Sequence, residues 1–408
     1  MQKPELLAPA GTLQRLKTAV AFGADAVYVG GEAFSMRTAS KNFSADDLKR
    51  ARELTLAKGK KLYIAVNIIP HNQDMALLPA YLEELADLAP DGLIVSDLGV
   101  FTMAQEIAPQ IPLHISTQAN NTNAKTFAAW HKLGATRVVC ARELSFAEIA
   151  EIRAQIPEDL EIEAFVHGAM CISYSGRCLL SSYMTGRDSN RGNCAHPCRW
   201  NYTLMEEQRP GEYYPVYENE RGTFIFNSKD LCMIEYIPEL VASGINSLKL
   251  EGRVKTEYYV ATVVKTYREA IDTYFENPGA YKTDPRWLSE LSKVSNRHYT
   301  TGFYLGKPDE SAQNYATSAY ERTYDVVGVV TAYDAETGDV IIEQRNRFFE
   351  GDELEAVIPY EKSFAFTVHN MRDEDGNPVQ SAPHPRQVLR LPIGRELPEL
   401  SLLRKKKD

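Results

Sequence analysis

No stretch of this chain approaches the run of about 18 apolar residues that a membrane-spanning helix requires, so no membrane partner is expected. Basic charge is also short: 45 Lys and Arg stand against 55 Asp and Glu, a net charge of −10. Binding nucleic acid irrespective of sequence needs a basic surface, so that class is excluded, and a structured RNA could dock only on a local patch. The opening MQKPELLAPAG has no basic-then-apolar leader, and the expected location is the cytoplasm. There is no GxGxxG after the first apolar run, no HExxH and no GxSxG, which removes the usual support for a dinucleotide fold, a zinc protease and a serine hydrolase.

Cysteine is scarce, six in 408 residues, yet four of the six fall in CISYSGRCLLSSYMTGRDSNRGNCAHPC, residues 171–198. In a cytoplasmic chain these thiols should be reduced, which argues against disulfides. Six residues separate Cys171 from Cys178, fifteen separate Cys178 from Cys194, and three separate Cys194 from Cys198. Only the last pair has the short spacing usual for zinc, whereas iron–sulfur spacings vary more and four thiolates complete a cluster. Spacing alone leaves iron–sulfur, zinc and unrelated thiols open. The neighbouring SGR, TGR and NRG lean toward a cluster, because glycine turns free backbone N–H groups and arginines offset anionic sulfur. Cys140 lies in the apolar run TRVVCARE and reads as core; Cys232 reads as a core position in a helix beginning at NSKDL.

Around this segment the chain alternates apolar runs with amphipathic helices. ELLAPAG, DAVYVGG, KKLYIAVNIIP, DGLIVSD, PLHISTQAN, TRVVCARE and IEAFVHG precede residue 170, and INSLKLEGR supplies an eighth strand. Nearly continuous apolar strands separated by helices predict a parallel sheet covered on both faces, and eight units favour a (β/α)8 barrel of the TIM type over residues 1–310. Residues 169–244 read as an insertion after the seventh strand, with a hairpin in WNYTLMEEQRPGEYYPVYENERGTFIFNSKD. Residues 280–320 read as polar linker. From 322 to 398 the period changes to two, with TG, EGD and DEDG turns, which predicts a small antiparallel β-barrel. The terminal RKKK reads as a solvated tail.

Barrel enzymes build their sites at the C-terminal ends of the strands. The polar residues expected there are Arg37, Asn67, His71, Asp97, Gln118, Asn120, Arg142, Glu143, Glu163, His167, Lys249, Glu251 and Arg253. Arg142 and Arg253, with Arg37 next, suit an anionic substrate; Glu163 or His167 could move a proton; Tyr174 and Tyr183 could stack on a flipped base.

EAFVHGAMCISYSGRCLLSSY, Glu163 to Tyr183, resembles the signature of the collagenase-like peptidase family, and ELLAPAG, GADAVYVGG and NSLKLEGRVK resemble it too. The resemblance covers essentially the whole chain. GEY…ERGTFIFNSKDL and the small β domain are most similar to the branch acting in 5-hydroxylation of the wobble uridine (position 34) of tRNA. That resemblance implies tRNA as partner, prephenate as co-substrate and a 4Fe-4S cluster. The branch pattern C-x6-C…C-x3-C falls on Cys171, Cys178, Cys194 and Cys198, with Cys232 an alternative fourth ligand. It leaves two other readings: a peptidase using a thiol, for which His167 precedes Cys171, and a non-catalytic protein binding tRNA or a partner, including a paralogous subunit or a second copy.

Overall fold

The computed structural model describes residues 2–35, 42–171, 173–200, 217–219, 222–224, 228–308, 312 and 320–407. Seven short strands alternate with helices: β1 Glu5–Pro9, β2 Ala26–Gly30, β3 Lys61–Val66, β4 Gly92–Val95, β5 Leu113–Ile115, β6 Arg137–Val139 and β7 Glu161–Ala169. The hairpin expected in the insertion is present as β8 Tyr217–Asn219 and β9 Gly222–Phe224. β10 Asp230–Cys232 and β11 Ser247–Leu250 follow. Strands β1 to β7 pair in order and in parallel. β11 pairs in parallel with both β7 and β1, and this closes an eight-stranded (β/α)8 barrel.

The helices between the strands begin where a side chain caps them. Thr12, Ser44, Asp97, Asn123 and Ser145 each accept a backbone N–H from the first turn. Asp97 is therefore a cap, bonded to the amides of Gly99 and Val100, where the sequence suggested a residue of the barrel mouth.

Inside the barrel an apolar group, Leu7, Ala26, Tyr28, Tyr63 and Ile94, stands beside an ion network. Arg137 donates to Glu5 at 2.7 Å, to Glu161 at 2.7 Å and to Glu163 at 3.0 Å, and Lys249 donates to Glu163 at 2.6 Å. The Ser247 hydroxyl bridges Glu5 and Glu163, 3.2 Å from each. Every buried charge in this layer meets an opposite one, the condition for holding ions in a closed interior.

Three expectations need correction. Cys232 is not helical: β10 pairs antiparallel with β7, Cys232 opposite His167, and parallel with β12 Tyr299–Thr300. The stretch from 280 to 308 is no linker, since it carries the helix Pro285–Ser292, β12 and the buried Arg297. The terminal basic residues are not a solvated tail. The second domain is an antiparallel sheet of β13 Tyr324–Asp334, β14 Asp339–Gln344, β15 Glu353–Val357, β16 Phe364–Thr367, β17 Arg372–Asp373, β18 Val388–Leu391 and β19 Leu402–Lys406. β19 runs between β15 and β13.

Arg404 on β19 is completely buried. It bonds Glu355, Glu290 of the helix Pro285–Ser292 and the hydroxyl of Tyr258, so it ties the sheet to the barrel's outer helices. Arg404→Ala is expected to cost about 2–4 kcal/mol, somewhat less than stranding a fully buried charge, because Lys293 still bridges Glu290 and Glu355. A thermal melt would show it as a lower midpoint; an unchanged midpoint would deny Arg404 that role.

Candidate functional site

A cavity of about 450 Å³ opens at the C-terminal ends of the barrel strands, within the usual size range of small-molecule sites. Its floor is apolar: Tyr28, Ala65, Ile94, Phe165 and Met170. Its wall is polar, with Asn67 after β3, Ser116, Thr117 and Gln118 after β5, Arg142 after β6, and Lys249, Glu251, Arg253 and Lys255 at the end of β11 and just beyond. The segment after β7 covers it, and Cys171, Cys178, Cys194 and Cys198 all line it.

Each wall residue is held by its neighbours. Arg142 donates to the Ala169 carbonyl at 2.6 Å and lies 4.0 Å above the centre of the Phe165 ring. Arg253 donates to the Ser35 hydroxyl at 2.7 Å. The second-strand glycine Gly30 makes that contact possible, because a Cβ there would stand 2.1 Å from the Ser35 oxygen and 2.2 Å from an Arg253 nitrogen. Asn67 donates to the Ser116 hydroxyl at 3.2 Å. Gly176 of the SGR turn, at φ +74°, leaves room for the Gln118 amide, whose oxygen is buried with no hydrogen-bond partner among the described residues.

Cys171, Cys178 and Cys194 sit in loops and Cys198 in the 3-10 turn Pro197–Arg199; Cys171 is exposed and the other three half-buried, unlike the buried Cys140 and Cys232. Burial pushes the thiols of Cys140 and Cys232 up to about 12, so neither offers a ready thiolate. The backbone N–H of His196 points at the Cys194 sulfur, 3.4 Å away, a donor suited to anionic sulfur. Four thiols lining one cavity supply the number and type of donors that a four-cysteine cluster uses. Among the described residues, no group of three or more His, Cys, Asp or Glu is arranged to hold a single metal ion.

The structure therefore brings Asn67, Gln118, Arg142, Lys249, Glu251, Arg253 and the four cysteines around one cavity, and leaves His71, Asp97, Asn120, Glu143, Glu163 and His167 outside its lining. Glu163 lies in the barrel interior with no exposure, bonded to Lys249, Arg137 and Ser247. Burial alone would raise its carboxyl, but Lys249 and Arg137 outweigh burial and hold it below the ordinary glutamate range. It is fixed as an anion and is poorly placed to carry a proton to the mouth. His167 is likewise buried, its ring packed among Tyr259, Tyr267 and Tyr299, with neither nitrogen bonded among the described residues. Burial first and the Lys255 charge second push its imidazole down to about 3. Its place at the end of the seventh strand predicts His167 at the mouth; a register shift between Lys249 and Leu250, where β11 pairs with β7, interrupts the strand alternation beside it.

Arg37 lies outside the described residues. Tyr174 lines the cavity, while Tyr183 is 90% exposed and does not. Asn120 ties the cover down by donating to the Ser175 carbonyl at 3.0 Å, and His71 caps a short helix. Sequence reasoning missed Lys255, His196, Arg297 and Tyr320 in the lining. Lys255 was signalled by its place two residues after Arg253 in LEGRVK; Arg297 and Tyr320 fell in the stretch read as linker.

A closed β/α barrel whose mouth carries the polar groups and whose seventh strand opens into a cysteine-bearing cover is a barrel protein of the site-at-the-mouth class. Within that class the chain belongs to peptidase family U32: the profile described as Peptidase family U32 matches residues 11–314, and that of its C-terminal domain matches residues 322–404. This is the collagenase-like family that the cysteine signature resembles. The chain is 42% identical to tRNA hydroxylation protein P1 of Bacillus subtilis, over 100% of this chain and 96% of that protein. It is 38% identical to tRNA hydroxylation protein P of Escherichia coli, over 97% and 95%. A solved U32 peptidase structure is 13% identical over 61% of this chain and 93% of its own, with a TM-score of 0.40. Among the described residues no helix is long and apolar enough to cross a membrane.

Proposed function

We propose that this protein is an enzyme of tRNA hydroxylation, acting at C5 of the wobble uridine, with prephenate as co-substrate and an iron–sulfur cluster held by Cys171, Cys178, Cys194 and Cys198. The observation that carries the reading is the convergence of all four loop cysteines with Arg142, Lys249 and Arg253 on one cavity at the barrel mouth. Relatives at 42% and 38% identity over nearly the whole chain carry the name tRNA hydroxylation protein.

The cavity's two chemistries divide the work. The apolar floor of Tyr28, Ile94 and Phe165 suits the ring of a small cyclic acid. Arg142 and Arg253 are planar, permanently charged donors matched to carboxylates. The cluster, when bound, would supply one-electron redox chemistry; the chain's own residues bind and orient the acid, and the His196 backbone N–H donates to the Cys194 sulfur.

The peptidase reading is second. It loses the His167–Cys171 pair, since His167 is walled in by tyrosines, and the histidine that shares the cavity with the thiols is His196.

Mass spectrometry of tRNA nucleosides from cells lacking the gene tests the proposal. Loss of 5-hydroxyuridine and of modifications built on it is expected, with return on complementation. An unchanged profile, in a strain also lacking any paralogue, would refute it.

A further inference from the structure

The cavity carries one cation whose role neither the barrel scaffold nor the cysteine site explains. Lys255 is nearly buried, lies at the cavity edge just before the helix Glu257–Glu276, and among the described residues donates only to Ser295, at 3.1 Å to its carbonyl and 3.3 Å to its hydroxyl. It has no carboxylate partner among the described residues. The other lysine of the lining, Lys249, is neutralised by Glu163 at 2.6 Å, and Arg297 by Asp230 at 2.5 Å. A buried ammonium with only neutral partners is costly to keep, and an anionic ligand would repay that cost.

The surroundings of Lys255 are arranged for such a ligand. Its ammonium stands 3.8 Å from the centre of the Tyr320 ring and 5.0 Å from that of Tyr259, so two aromatic faces fix its position. Tyr320 is in turn held by Arg297, which donates to its hydroxyl at 2.9 Å. Arg297 is 2% exposed, lines the same cavity, and its Nε has no partner among the described residues. The first turn of the twenty-residue helix after Thr256 adds the positive end of its dipole.

Arg142 lacks a carboxylate partner too, and its Nε is buried without a bond among the described residues. It follows β6, whereas Lys255 follows β11; β7, with Phe165 of the apolar floor, runs between those strands. The cavity thus has two cationic poles around an apolar centre. We infer that Lys255 is a specificity-determining residue that joins Arg253, also just beyond β11, in reading the second carboxylate of a cyclic dicarboxylate, Arg142 taking the first. This rests on the proposed use of prephenate and deepens it, because it states why a dicarboxylate and not a monocarboxylate is the co-substrate.

Isothermal titration of the purified full-length protein with prephenate and with the monocarboxylate phenylpyruvate tests it. The wild type is expected to prefer prephenate. Lys255→Gln should weaken prephenate by about 10- to 100-fold, the range for losing one charged partner, and phenylpyruvate by no more than about threefold. Lys255→Arg should recover most of the preference, which a merely structural lysine would not show. Equal weakening of both acids, or of neither, by Lys255→Gln would overturn the inference while leaving the co-substrate intact. A wild-type protein binding neither acid would instead remove prephenate from the proposed function. If Lys255→Gln kept its prephenate affinity and lost tRNA affinity, the cation would serve an RNA phosphate and the inference would also fall.

Discussion

Cys194→Ala, purified without oxygen, is expected to lose most of its iron and acid-labile sulfide while keeping the wild-type fold. Cys194 sits half-buried in the cavity cover and accepts a backbone N–H from His196, so its removal takes away one of the four proposed thiol ligands and no core packing. Cys171→Ala, Cys178→Ala and Cys198→Ala should behave alike. Cys232→Ala should keep its iron, because that thiol is buried on β10 beside the Tyr267 hydroxyl and pushed up to about 12. The same holds for Cys140→Ala on the barrel wall. The wild-type protein should be brown, with broad absorption near ~400 nm that a zinc site lacks. Full iron retention by Cys198→Ala together with loss by Cys232→Ala would reassign the fourth ligand.

Glu163→Ala is expected to destabilise the barrel by about 3–5 kcal/mol, the cost of removing one partner from a buried ion network. Arg137 would keep Glu5 and Glu161, but the Lys249 ammonium would lose its only carboxylate partner. Glu163→Gln should be milder in shape and similar in charge, and both should lower the melting midpoint. The network also sets an acid limit. The carboxyls of Glu163 and Glu5 are held below the ordinary glutamate value of 4.5, so their stabilisation is complete at neutral pH. It is lost as pH falls through their lowered values, because the unfolded chain then takes up protons that the folded one does not. Acid unfolding of Glu163→Gln should accordingly show a shallower pH dependence than wild type; parallel curves would remove Glu163 from that linkage.

The barrel was legible because buried parallel strands write themselves as short, nearly continuous apolar runs such as DAVYVGG and DGLIVSD, each followed by a capped helix. The cavity cover was legible for a different reason: polar, glycine-rich sequence carrying four of six cysteines has no packing explanation. What stayed hidden depended on pairing. β10 is three residues long and borders a sequence of helical spacing, DLCMIEYIPEL, so nothing local distinguishes it from the helix that follows. The displacement of His167 comes from a register shift between two strands more than 80 residues apart, which no window of sequence contains. Glu163 reads as a proton carrier when counted among the polar residues at the strand ends; its partners Arg137 and Lys249 come from other strands of the barrel. RKKK looked like a tail because charge dominates it, yet Arg404 of that stretch is buried by acids and a tyrosine from elsewhere in the chain.

The most direct test joins the cavity to the reaction. An extract of cells lacking the gene supplies hypomodified tRNA and any accessory protein, and purified wild-type protein is added without oxygen, with and without prephenate. Mass spectrometry of the recovered tRNA should find 5-hydroxyuridine only when wild-type protein and prephenate are both present, and none with Cys194→Ala. Equal 5-hydroxyuridine from the Cys194→Ala protein, or from wild type in extract freed of prephenate, would contradict the assignment of this cavity to cluster and co-substrate.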